Sequence, residues 1–168
     1  MKTIKSKFLV LSLILFTAIA FSSCDKDEFE WRKAEILKPE KFSTPSNGNI
    51  THTITLTKDW VDVTNGGKYI DVVDVTYTEG EIEIYKGPYI DYLTFNIIGT
   101  DIGFRYDINS DKGYIIDDAA PGRKLFFQEI VEIIRRNQVA TIAVGGRANP
   151  NVEIDMDIYF KVNAEVSY

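Results

Sequence analysis

The chain has one cysteine, one histidine, two methionines and two tryptophans among its 168 residues. A single cysteine leaves no intramolecular disulfide to staple the fold. A single histidine excludes the multi-histidine zinc sites. A serine–histidine–aspartate triad has to recruit that same residue, His52, and the chain contains no G-x-S-x-G elbow to present the serine. His52 shares the phase of Ile54 and Leu56 in a threonine-rich segment, the placement of a histidine at a strand edge. An excess of basic residues is also missing, with 19 Lys+Arg against 25 Asp+Glu and a formal net charge of −6. Such a chain is repelled by phosphate backbones and anionic lipid, so no nucleic-acid partner is expected. One long uncharged run occurs, Phe8 to Phe21, and its 14 residues fall short of the ~20 that span a bilayer as a helix.

That run is preceded by Lys2, Lys5 and Lys7 and followed by Ser22 and Ser23, the layout of a secretory signal peptide over residues 1–23. The stretch Phe21-Ser22-Ser23-Cys24 resembles the bacterial lipobox, with Phe21 where leucine is usual. The next residues, Asp25, Lys26, Asp27 and Glu28, resemble the acidic surface-export signal of Bacteroidota lipoproteins. The resemblance implies cleavage before Cys24, a covalent lipid on its sulfur, and a protein anchored in the outer membrane and exposed at the cell surface. Two or three acyl chains hold a protein on a membrane where one is marginal. Without the three signal-peptide lysines, the mature chain has 16 basic and 25 acidic residues and a net charge of −9.

Residues 24–48 are rich in charge and turn formers (Pro39, Pro45, Ser46-Asn47-Gly48) and read as a lipidated cysteine with a flexible tether. From residue 49 to 168 the rhythm becomes that of strands. His52, Ile54 and Leu56 alternate with threonines. Asn65-Gly66-Gly67 is a turn, Tyr69 to Tyr77 a strand whose phase slips at Val72/Val73, and Glu79-Gly80 a second turn. The segment 124–137 departs from this rhythm. Phe127, Ile130, Val131 and Ile134 share a helical face, and Arg135 and Arg136 suit a helix C-terminus, so one short helix is expected. In the last run Val152, Ile154, Met156, Ile158, Phe160, Val162, Ala164 and Val166 alternate with polar residues, a pattern only a long half-buried strand explains. With Val139 to Gly145 before it and Asn149-Pro150-Asn151 between, a hairpin is expected. The sum is an all-β, antiparallel, immunoglobulin-like sandwich of about eight strands with one short helix. Its helix before a strand–turn–strand ending resembles small β-sandwich lipoproteins of Bacteroidota and, more distantly, the late-embryogenesis-abundant type 2 sandwich. Neither resemblance supplies functional residues.

Three constellations could carry chemistry. Tyr85, Tyr89 and Tyr92 flank Gly87-Pro88 and could stack on a sugar or pack on a protein partner. Asp107, Asn109, Asp111 and Asp118 fall at positions 1, 3, 5 and 12 of an EF-hand count and could bind calcium, but Lys112 stands where the loop needs glycine. Asp155 and Asp157, two apart on one strand face, have a spacing of ~7 Å that a glycosidase pair could use. Acids on a strand's wet face usually keep a sheet soluble. No cofactor beyond the covalent lipid is expected. The function expected is a lipid-anchored binding or scaffolding module, accessory to a surface glycan-handling or adhesion complex. A carboxylate-based glycan hydrolase is the alternative.

Overall fold

The computed structural model describes residues 31–43, 47–64, 66–85, 89–108, 114–149 and 155–167. The expected signal peptide 1–23, Cys24 and the stretch Asp25–Glu28 lie outside these residues. The order is β1 (Arg32–Ser43), β2 (Asn49–Thr57), β3 (Val61–Asp62), β4 (Lys68–Tyr69), β5 (Asp74–Tyr85), β6 (Ile90–Ile97), β7 (Gly103–Asp107), β8 (Tyr114–Asp117), α1 (Pro121–Asn137), β9 (Val139–Ala148) and β10 (Asp155–Ser167).

Two antiparallel sheets pack face to face. One has the order β4-β3-β1-β10-β5-β8 and the other β2-β9-β6-β7. The all-β sandwich expected from alternation is the observed architecture. Along β10, Met156, Ile158, Phe160, Val162, Ala164 and Val166 are buried while the residues between them face outward. Its likeness to immunoglobulin domains is in this layering. The chain path itself is a jelly roll: the eight longer strands form the four-strand orders β1-β10-β5-β8 and β2-β9-β6-β7, so the first strands pair with the last.

Three expectations give way. The tether does not reach residue 48, because β1 occupies 32–43 and pairs with β10 over its full length, from Arg32↔Val166 to Ser43↔Asp155. Its inward side begins apolar, with Ala34 and Ile36 buried, but continues with the half-buried Lys38 and Glu40. The backbone ladder to β10 therefore holds a strand whose own alternation is weak. The terminal hairpin is also absent: β9 pairs with β2 and β6, and β10 with β1 and β5, so the chain changes sheet between them. The local pattern of a hairpin and of a sheet-to-sheet crossing is the same. Finally, Glu79-Gly80 is not a turn. β5 runs through it, and the pairs Ala164↔Tyr77 and Asn163↔Glu79 leave Thr78 as the extra residue of a bulge. Gly80 is buried because Phe127 of α1 lies on it. A Cβ there would sit 2.3 Å from the Phe127 Cγ.

The helix begins earlier than expected. Pro121 opens it, the position where a missing N–H costs nothing, and Gln138 ends it in the left-handed conformation (φ 66°). The expected face is buried, joined by Phe126. α1 packs on β5 of one sheet and on β7 and β9 of the other, closing one side of the sandwich. Ring contacts continue through the core from Phe126 to Phe104 (5.0 Å), Phe104 to Phe95 (5.2 Å) and Phe95 to Phe160 (5.8 Å). A fully buried side chain of this kind contributes roughly 1.5–3 kcal/mol. At the β3–β4 turn, Asp62 is buried and accepts hydrogen bonds from the Thr64 backbone N–H (2.8 Å) and hydroxyl (2.6 Å), with the Arg32 guanidinium 3.6 Å away. No helix among the described residues is long and apolar enough to cross a membrane.

Candidate functional site

Buried apolar side chains pack between the two sheets, and the outer faces of the sheets differ. On the six-stranded sheet, register sets side chains into rows across β1, β10, β5 and β8. One row is Leu37, Lys161, Glu81 and Asp117; the next is Pro39, Tyr159, Glu83 and Ile115; the next is Lys41, Asp157 and Tyr85. These rows bring an apolar group together. Leu37 is 53 % exposed, Ile115 62 % and Tyr85 45 %. The Tyr85 and Tyr159 rings meet edge to face, with centroids 5.4 Å apart and planes at 85°. They are diagonal neighbours on adjacent strands, within reach for aromatic rings. The Tyr85 hydroxyl donates to Glu83. That hydrogen bond to a carboxylate holds the phenol above its usual pKa, so Tyr85 stays a neutral donor.

Toward the other end of the same face lies an open depression of about 500 Å³, lined by Lys33, Glu35, Val63, Glu79, Lys161, Asn163 and Glu165 among others. Two of its polar side chains are tied to acids of β5. Lys161 Nζ lies 2.9 Å from Glu81 Oε1, and Asn163 Nδ2 donates to Glu79 at 2.8 Å. The bond to Glu81 pushes the Lys161 ammonium up and keeps it charged.

The outer face of the four-stranded sheet carries smaller side chains. Its rows are Thr51, Gly145, Thr94 and Arg105, then Thr53, Ala143, Asn96 and Gly103. Tyr92 lies on this face with the Arg105 guanidinium 3.7 Å above its ring, and Arg105 is held in turn by Asp107 at 2.7 Å.

The three tyrosines singled out in the sequence therefore do not form one patch. Tyr85 is on the outer face of the six-stranded sheet, Tyr92 is on the opposite face of the sandwich, and Tyr89, in the loop between, is exposed with φ 83°. Alternation reverses side at each residue, and the crossing from β5 to β6 changes sheet, so nearness in sequence does not survive. The ring that does join Tyr85 is Tyr159, which the alternation of β10 already put on the polar side. An aromatic among acids on a wet strand face was the available signal. Leu37 was hidden in the presumed tether, and Ile115 in a short strand.

Of the calcium count, Asn109 and Asp111 lie outside the described residues. Asp107 is paired with Arg105, and Asp118 accepts a hydrogen bond from the Tyr77 hydroxyl. Among the described residues no group of three or more His, Cys, Asp or Glu is placed to hold a metal ion. Asp155 and Asp157 share the outer face, but each is engaged by β1: Ser43 donates to Asp155 at 2.6 Å and Lys41 lies 3.7 Å from Asp157. His52 faces β1 with its Nε2 3.6 Å from Glu40, which also lies 3.3 Å from Lys38.

No protein family matches the chain, and no curated protein matches it. Among solved structures, a chain described as the decameric BFDV capsid protein is similar at 9 % identity and a TM-score of 0.46, over 83 % of this chain and 100 % of that one.

Proposed function

We propose that the protein is an outer-membrane lipoprotein, anchored through a lipid on Cys24 and brought to the cell surface by the Asp25–Glu28 stretch, whose sandwich acts as a binding or scaffolding module accessory to a surface glycan-handling or adhesion complex. The reading draws its cellular half from the run Phe8–Phe21 and the residues after it. It draws its molecular half from one observation: the exposed Tyr85, Leu37 and Ile115 and the half-buried Tyr159 gather on one sheet face. Large apolar side chains gathered in this way mark interaction surfaces more often than isolated ones do.

The test has two arms. Mass spectrometry of the purified protein should find an acylated amino-terminal Cys24, and protease added to intact cells should digest the sandwich. A bare sulfur on an uncleaved chain removes the lipoprotein reading, and full protection removes surface display. For binding, the wild type and a Tyr85→Ser/Tyr159→Ser variant are compared on glycan arrays and by cross-linking on intact cells. Loss of the wild-type partners from the variant supports the face as the contact surface, and identical profiles remove it.

A further inference from the structure

The outer face of the six-stranded sheet is unbalanced in charge as well as exposed. Over the rows from Lys33 to Ser43 it presents eight carboxylates and three lysines, Lys33, Lys41 and Lys161. The paired outward positions of the other sheet carry one carboxylate, Asp107, with Arg105 and Arg147. Three of the eight acids form an ion pair, Glu81 with Lys161, Asp157 with Lys41 and Asp117 with Arg123, and the Lys161 charge also acts on Glu35 and Glu79. Among the described residues, Glu83 is occupied by the Tyr85 hydroxyl and Asp155 by that of Ser43, neither of which neutralises it. Glu83 and Asp155 therefore leave negative charge beside the two rings, while Glu35, Glu79 and Glu165 lie toward the other end of the face.

We infer that this face docks a protein partner whose contacting surface sets lysine and arginine side chains around an apolar centre. The inference rests on the face being the contact surface proposed above and adds the chemistry of what it meets. Leu37, Ile115 and the two rings give the partner's apolar centre something to cover. The ring faces attract a guanidinium or ammonium by their quadrupole, and Arg105 on Tyr92 shows that pairing within this same chain. Glu83 and Asp157, adjoining Tyr159 and Tyr85 in the rows, supply charge-assisted hydrogen bonds to arginine. An acidic partner meets repulsion over the whole face. A neutral glycan can stack on the rings and donate hydroxyls to the acids, but it gains nothing from their field, which reaches beyond contact distance and steers a cationic surface inward.

The experiment titrates the full chain, held in neutral detergent and labelled with nitrogen-15, with a capped peptide that alternates arginine with leucine. A peptide with glutamate for arginine and a neutral cello-oligosaccharide are titrated in parallel. The arginine peptide should shift the amides of Glu83, Tyr85, Ile115 and Tyr159 saturably, with affinity falling as salt rises. Tyr85→Ser/Tyr159→Ser and Glu83→Gln/Asp157→Asn should each weaken it by roughly tenfold. Asp71→Asn/Asp101→Asn, which removes the same charge elsewhere, should change it by less than about twofold. Equal losses from both acid pairs, shifts centred on the four-stranded sheet, or no saturable shift at all overturn the proposal. If the oligosaccharide shifts the same amides and Glu83→Gln/Asp157→Asn leaves its affinity intact, the face survives as a contact surface and the cationic partner falls.

Discussion

Gly80 and Phe127 make the sharpest test of how helix and sheet are joined. A Cβ built on Gly80 meets three ring carbons of Phe127, at 2.3, 2.4 and 2.8 Å. Ordinary carbon contacts lie near ~3.5–4.0 Å, so the ring has to retreat by about 1 Å or more. It has little room, since Phe127 is fully buried and its ring meets that of Phe126 at 5.5 Å. Overpacking of this kind costs about 1–3 kcal/mol, against which the stiffer alanine backbone returns about 0.5–1 kcal/mol. Gly80→Ala should therefore destabilise by roughly 1–2 kcal/mol, seen as a lower urea midpoint with an unchanged slope. Phe127→Ala alone should cost about 3–5 kcal/mol. In that background the new methyl points into the vacated space, so Gly80→Ala should become neutral or stabilising, and the double-mutant cycle should show a coupling of about 1–3 kcal/mol. Additive effects, or a Gly80→Ala protein as stable as the wild type, would mean that the ring does not rest on Gly80 and that α1 is docked elsewhere.

Tyr77 and Pro39 give two further tests. Burial, then the hydrogen bond to Asp118, pushes the Tyr77 phenol far above its ordinary value, so the folded state keeps this proton at a pH where the unfolded chain loses it. Its contribution is fully present below about pH 10 and falls away above it. Tyr77→Phe should lower stability at neutral pH by about 1 kcal/mol, and its deficit against the wild type should shrink as denaturation is followed from neutral pH past pH 10. A constant deficit refutes the assignment. Pro39 lies where β1 is paired only on its β10 side, since β3 pairs with residues 34 and 35 alone. Lys33 accepts from Val63 on the β3 side; by two-residue alternation the missing N–H of Pro39 points to the same open edge, where it interrupts the donor row. Pro39→Val should complete that row and produce larger species in sedimentation velocity than the wild type at equal concentration; identical profiles refute a guarding role.

The layers of this fold were legible wherever burial on one face was strict. The alternation of β10 names its buried set, and the face of α1 follows from Phe127, Ile130, Val131 and Ile134. What failed depended on partners far along the chain. Gly80 looks like a turn residue until a ring from residue 127 occupies the space where its side chain would be. β1 looks like a polar leash until β10 provides its ladder. β9 and β10 carry the pattern of a hairpin, and only the places taken by β2 and β1 beside them show that they belong to different sheets. The site suffered in the same way. Tyr85 was picked out, but its companions come from β10, β1 and β8, and sequence distance does not show which strands lie side by side.

β1 belongs both to the sandwich and to the candidate contact face, and this bears on what the proposed anchor can do. Depressions of about 500 and 480 Å³ both border β1, one beginning at Lys33 and the other running to Pro39. The strand taken for a spacer is therefore part of the exposed face. If Cys24 carries the lipid, as proposed, an extended chain from it reaches residue 49 over about 85 Å but residue 32 over only about 28 Å. A short leash leaves little freedom to search for partners far from the membrane. It raises the effective concentration of the face toward proteins anchored beside it, which lets individually weak contacts suffice. The partner to seek is then a neighbour in the same membrane. Lengthening the chain between Cys24 and Arg32 with glycine and serine should lower cross-linking to that neighbour on intact cells while leaving the affinity of the arginine peptide unchanged. Equal cross-linking at every linker length would show that proximity to the membrane plays no part.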